Sequence, residues 1–265
     1  MKRYIKLYFT YLKRAIVTRL EYKKDALIGI LSFFLGNVAS ILGIYFIVNS
    51  IPSLNGWTME QLGFLYGFSM LPVAIDHLFS DDLWCVAYWK VRTGELDKYY
   101  LRPVPVLFQV IAETFQPEAL GELLVGIIML ALCGKGSGVI FNFPNVLLLI
   151  VGAVFGAIII TSIKIITAAV AFYTKRSGPL TQVVYGFGSY TKYPLKIYPK
   201  FIQLILQFIV PFGLVISIPI DVVINEGYNP YLLMLVIIGV SMVFLFISVA
   251  FWNKAEKKYS SSGSS

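Results

Sequence analysis

The stretch V-L-L-L-I-V-G-A-V-F-G-A-I-I-I-T-S-I-K-I-I-T-A-A-V-A-F, Val146 to Phe172, holds 27 residues and a single charge, Lys164. About 20 apolar helical residues suffice to cross a hydrocarbon core of roughly 30 Å, so the stretch reads as a membrane span. Outward from it, comparable stretches run Ala26 to Ser50, Glu60 to Ser80, Ala112 to Leu132, Phe201 to Ile220 and Tyr231 to Trp252. The expected fold is all-α, a polytopic membrane protein of six transmembrane helices. The third stretch carries Glu113, Pro117, Glu118 and Glu122, so its strictly apolar part starts near Ala119. The fifth contains Pro211 and ends at Pro219. Proline frees a helical carbonyl, which predicts a broken or partly re-entrant span there.

Composition agrees. Of 265 residues 58% are apolar and 14% charged, against about 45–50% and 25% in soluble domains. A soluble fold of this size cannot hide that surface. Six spans of about 22 residues leave roughly half the chain for tails and loops, too dispersed for an appended catalytic domain.

The net charge of +8 follows topology. Twenty of the 22 basic residues lie before the first span, in loops of about 81–111 and 173–200, and after Trp252. Basic residues accumulate on the cytoplasmic side, so both termini are expected there. This distribution excludes a nucleic-acid footprint and makes the lipid bilayer the surrounding partner. The first 25 residues lack the apolar core of a cleavable signal peptide. Instead Ile5, Phe9, Leu12, Ile16 and Leu20 share a helical face, with Lys6, Thr10, Lys13 and Arg14 mostly opposite. Residues 1–25 read as an amphipathic helix in the cytoplasmic interface, or alternatively as an extension of the first span. Residues 26–252 form the six-span domain and 253–265 a flexible cytoplasmic tail.

Several chemistries are absent from the sequence. No G-x-x-x-x-G-K-[ST] phosphate loop occurs, so ATP hydrolysis is not expected on this chain. The single His77 cannot build a multi-histidine metal site, and no cofactor is expected. Ser137 among Gly134, Gly136 and Gly138 lacks a nearby base for hydrolase chemistry. Cys85 and Cys133 are expected near opposite faces, unable to bridge, and read as small buried hydrophobes.

Ionisable residues inside spans are candidates for function. Glu118 and Glu122 share a helix face, Glu113 lies a fraction of a turn away, and Lys164 is the one base able to pair with them at depth. Two readings stand: a polar pathway for substrate or protons, and buried ion pairs that fix packing. Asp76, His77, Asp81 and Asp82 form a second polar cluster, read as a solvated helix end in preference to a metal site. In the loop from Asp81 to Pro105, Thr93 is placed to cap a short helix over Glu95 to Leu101 that Pro103 stops. Trp89, Leu96, Tyr99 and Leu101 would then face out of the bilayer as a docking element.

The stretch T-G-E-L-D-K-Y-Y-L-R-P-V-P-V-L-F-Q-V, Thr93 to Val110, resembles the cytoplasmic loop of ABC-type-2 permeases, the six-span membrane subunits of bacterial exporters, and within them a subgroup of largely uncharacterised drug- and peptide-export permeases. The matching residues are Gly94, Leu96, Asp97, Leu101, Arg102, Pro103 and Pro105. K-Y-P-L-K-I-Y-P-K-F, Lys192 to Phe201, followed by Pro211 and Pro219, resembles the subgroup's Tyr-Pro element and proline-punctuated fifth span. The resemblance implies a bacterial plasma-membrane permease that exports an amphipathic drug, peptide or lipid-like substrate. It implies a second permease subunit, alike or different, and separate ATP-binding cassette subunits that carry ATP and magnesium. It places coupling to the ATPase at Gly94, Glu95, Leu96, Asp97, Tyr99, Leu101 and Arg102, with the N-terminal helix and Tyr173 to Tyr190 as secondary contacts. It also implies re-entrant helices before the last span. The alternative function is a stand-alone secondary transporter or channel using Glu113, Glu118, Glu122 and Lys164.

Overall fold

The computed structural model describes residues 2–49, 56–225 and 229–260, which are helical nearly throughout. The helices are α1 (Lys2–Glu21), α2 (Lys23–Asn49), α3 (Met59–Ser80), α4 (Asp82–Cys85), α5 (Val91–Thr93), α6 (Asp97–Tyr100), α7 (Val106–Ala112), α8 (Ala119–Cys133), α9 (Phe143–Ala169), α10 (Ala171–Thr174), α11 (Gly178–Gly186), α12 (Lys200–Leu204), α13 (Phe212–Val215), α14 (Ser217–Asn225) and α15 (Pro230–Glu256). Among the described residues, α2, α3, α15 and the run Phe143–Thr174 are long and apolar enough to cross a membrane. Local chemistry sets their ends. Thr58 and Gln61 make a reciprocal capping box at the start of α3, and Asn142 caps α9 through the Asn145 amide, in each case satisfying orphan N–H groups.

α3 and α9 form the centre. With α13, α14 and α15 they bury Phe64, Phe68, Ile160, Val215 and Ile237. α8 crosses α3 where Gly67 meets Gly126. A Cβ built on Gly126 would lie 2.9 Å from the Gly67 carbonyl, so small residues permit the approach that packs helices in lipid. A second core, with Leu83, Val91, Leu96, Tyr99, Phe172 and Trp252, clamps the 83–110 loop onto the ends of α9 and α15. None of the apolar window of α2 is buried.

The third stretch departs from one continuous span. α7 ends at Ala112, residues 113–118 turn over Pro117, and only Ala119–Cys133 resumes. The Gln116 amide donates to the Leu78 carbonyl at 3.1 Å, pinning that turn to the end of α3. Glu113 and Glu118 thus flank a break instead of lying within one helix, and Glu122 falls in the first turn of α8.

The fifth stretch is not a straight crossing. The helix pair Lys200–Ile209 and Phe212–Asn225 is bent by 77° at Val210 and Pro211. Val215 packs against the position of Gly156 in the middle of α9, while the Val223 carbonyl accepts from the Ile140 amide ahead of α9. The second arm therefore returns toward the end where α9 starts. The lengthwise run belongs instead to residues 178–196. The Ser177 amide donates to Ala87, the Tyr185 hydroxyl reaches Asp76, and the Lys192 ammonium lies 5.2 Å from the Tyr66 ring centroid. Asp76 and Tyr66 are ten residues apart on α3, about 15 Å. Lys196 then pairs with Asp221 at 3.2 Å and lines a cavity of about 440 Å³ with Trp57 and Asn229, which lie ahead of α3 and α15. The basic loop expected over 173–200 at one face thus runs the length of α3, with Lys192 and Lys196 carried toward its start.

The terminal expectations divide. α1 is parted from α2 by the single turn residue Tyr22, with Ile5, Phe9 and Val17 exposed. The expected free tail from 253 is ordered further than composition indicates: α15 runs to Glu256, and the Tyr259 hydroxyl donates to Asp97 at 2.7 Å. Residues 261–265 lie outside the described residues.

Candidate functional site

Lys164 is fully buried on α9, and its three ammonium protons find three oxygen partners. Asp76 stands at 2.6 Å and Asp81 at 2.8 Å, with the Ser80 hydroxyl at 3.0 Å. The α3 spacing explains the set, because Asp76 and Ser80 are one turn apart and Asp81 caps the helix end. Asp76 is saturated in turn. It accepts from Ser80 at 2.5 Å, Thr161 at 2.6 Å and Tyr185 at 3.1 Å. An uncompensated charge here would cost several kcal/mol, so the network is closed by necessity.

Tyr185 carries the network onward. Its oxygen lies 2.8 Å from His77 Nε2, and His77 Nδ1 lies 2.7 Å from Glu122. His77 stacks on Tyr185, and Tyr185 meets Trp84 edge-on. The network therefore joins α3, α8, α9 and α11 through side chains alone.

The same chemistry continues into the loop. Lys90 donates to both Asp82 oxygens at 2.6 Å and to the Tyr99 hydroxyl at 3.3 Å. Burial pushes the Tyr99 hydroxyl well above its ordinary pKa, so it stays protonated. Two polar networks therefore meet at neighbouring residues: Tyr99, Lys90 and Asp82 on one side, and Asp81, Lys164, Asp76, Tyr185, His77 and Glu122 on the other, joined by the Asp81–Asp82 peptide link.

These partners differ from the sequence expectation. Lys164 bonds Asp76 and Asp81 and not the glutamates of the third stretch. Glu122 pairs with His77, and Glu113 pairs with Arg102 at 2.5 Å. Glu118 has one buried carboxylate oxygen without a hydrogen bond among the described residues. The cluster read as a solvated helix end is closed around Asp76, 1% exposed. Ligand atoms of Asp76, His77 and Asp81 lie within 4.8 Å of one another, yet the two carboxylates already share the Lys164 ammonium and both His77 nitrogens are engaged by Tyr185 and Glu122, so a metal would have to displace these partners. Asp76, Ser80 and Asp81 are the partners of Lys164 that sequence reading missed, together with Thr161 and Tyr185, which donate to Asp76 behind them. The signal was present in the lone intramembrane base and in Thr161, three residues before it on the same face.

The loop helix is shorter than expected, Asp97–Tyr100. The Thr93 hydroxyl does not cap it and donates back to the Trp89 carbonyl at 3.1 Å. Gly94, at φ 76°, ends α5 in the left-handed conformation that glycine tolerates best. Leu96 and Tyr99 point into the second core, whereas Leu101 is 86% exposed and Trp89 40%. Tyr100 stacks on Tyr259, with ring centroids 5.3 Å apart. Glu95 is exposed, Asp97 holds the terminal segment, and Arg102 lies over Tyr11 of α1.

Four long apolar helices and a polar network buried between α3, α8, α9 and α11 mark a multi-pass membrane protein. The family described as ABC-2 family transporter protein matches residues 34–263. The chain belongs to this family, and is therefore a membrane transport component and not itself the ATPase. No curated protein matches the chain.

Proposed function

We propose that the chain is the permease subunit of an ABC exporter and pairs with a second permease copy, identical or related. Separate ATP-binding cassette subunits carry ATP and magnesium and drive outward movement of an amphipathic substrate across a bacterial plasma membrane. The observation that carries this reading is the pair of polar networks that meet at Asp81 and Asp82, one holding Tyr99 of the loop behind Leu101 and the other joining α3, α8, α9 and α11. A push on the loop is delivered to four helices because the second core makes the loop one body with the ends of α9 and α15.

Coupling is assigned to Gly94, Glu95, Leu96, Asp97, Tyr99, Leu101 and Arg102, in two groups. Leu101 and Glu95 make the outward contact. Gly94, Leu96, Asp97, Tyr99 and Arg102 shape the loop and anchor it. Of the intramembrane groups, Lys164 and Glu122 belong to the transmission path, and Glu113 secures Arg102. The run from 178 to 196 replaces 201–220 as the fifth crossing, keeping six crossings and both termini on the cytoplasmic face, with α12 to α14 re-entrant. A Lys164 whose protons are all engaged by fixed oxygens favours transmission over ion conduction.

The test is copurification with a separately encoded ATP-binding subunit. The complex hydrolyses ATP and the chain alone does not, and Asp97→Arg or Gly94→Trp lowers hydrolysis-driven transport. Transport by the chain alone under an ion gradient would instead establish a stand-alone transporter.

A further inference from the structure

α1 packs against the loop after α6, enclosing a cavity of about 360 Å³. Three guanidiniums line it, Arg14, Arg19 and Arg102, with two carboxylates, Asp82 and Glu113. Both carboxylates already hold cations. Asp82 is bound by Lys90 at 2.6 Å and Glu113 by Arg102 at 2.5 Å. The remaining positive charge is Arg14 and Arg19. Arg14 makes no hydrogen bond or ion pair among the described residues, and Arg19 has only the neutral Gln116 amide oxygen at 3.4 Å. The Thr114 hydroxyl spends its proton on the Val110 carbonyl at 2.7 Å, and Thr18 lies on the same wall.

We infer that this cavity binds the phosphate headgroup of an anionic phospholipid, with Arg14 and Arg19 as its ligands and Thr18 completing the set. Guanidinium forks match phosphate oxygens bidentately, and two exposed cations lining one cleft without a carboxylate of their own attract an anion. The lipid source follows from the same helix. Ile5, Phe9 and Val17 are exposed by 54, 61 and 59% on α1, which suits a helix lying in the headgroup boundary. A molecule with an anionic head and apolar tails meets both features, whereas free phosphate meets only the first. A headgroup bound there bridges α1 to the turn at residues 113–116 and so holds the Arg102 anchor of the coupling loop.

Native mass spectrometry of the detergent-purified full chain, titrated with phosphatidylglycerol or phosphatidylcholine, tests the assignment. Phosphatidylglycerol is expected to be retained, and roughly thirtyfold less in Arg14→Gln/Arg19→Gln, since each of the two cations contributes about 1 kcal/mol near an anionic surface. Arg14→Lys/Arg19→Lys should recover part of the binding. Lys6→Gln/Lys24→Gln removes the same charge outside the cavity and should leave retention unchanged. Equal loss in that control would mean unspecific attraction and overturn the site. Displacement of the lipid by millimolar inorganic phosphate would overturn the lipid assignment, as would equal retention of phosphatidylcholine.

Discussion

The Lys164 ammonium lies 2.6 Å from the Asp76 carboxylate, and both side chains are sealed from the surroundings. Removing one member of such a pair leaves a buried charge and costs about 3–5 kcal/mol, whereas removing both costs less. Lys164→Met is therefore expected to lower the melting temperature in detergent sharply, and Lys164→Met/Asp76→Leu to recover part of the loss. Additive losses in the double variant would show that the two groups are not coupled.

Gly94 occupies φ 76°, where a Cβ costs about 1–2 kcal/mol. Gly94→Ala should raise the susceptibility of the 90–103 loop to limited proteolysis, and Gly94→Asn should do so less. Proteolysis rates equal to wild type in both would show that the left-handed turn is not required.

Cys85 lines the cavity beside α1, but burial, with the Asp82 carboxylate adding to it, pushes its thiol up to about 12. The thiolate is the nucleophile, so at pH 8 alkylation by iodoacetamide should run about a thousandfold slower than for a free thiol. The rate should rise about tenfold per pH unit up to pH 10. Peptide mass spectrometry over time measures it, and rapid labelling at pH 8 would contradict the burial.

Membrane character was legible from Val146 to Phe172, because twenty-odd apolar residues in sequence have few other uses. α3, α9 and α15 fall close to the stretches read for them. The path of residues 178–196 was not legible. Residues 178–196 run along α3 in short turns broken by Gly186, Gly188 and Pro194, and no long apolar window forms there. Phe201 to Ile220 supplied such a window although Pro211 folds it back. Lys192 and Lys196 were counted with the cytoplasmic loop because charge counting assumes that lysines avoid the bundle. Within the site, Lys164 stood out by composition, but its partners depend on how α3 and α9 face each other, which periodicity alone does not determine.

That path for residues 178–196 has a direct consequence. Single cysteines in place of Leu101 and Lys196, both exposed, should react with a membrane-impermeant maleimide from opposite faces of sealed vesicles. Labelling of both from one face would restore Phe201 to Ile220 as the crossing.

The claim that Leu101 docks a separate ATPase is tested most directly by cross-linking. Leu101→Cys, coexpressed with the ATP-binding subunit and treated with a short bifunctional maleimide, is expected to give a single cross-linked species joining the two chains. Leu132→Cys, also largely exposed on α8, is expected to give none. Absence of the Leu101 cross-link in a complex that still hydrolyses ATP would contradict the coupling assignment.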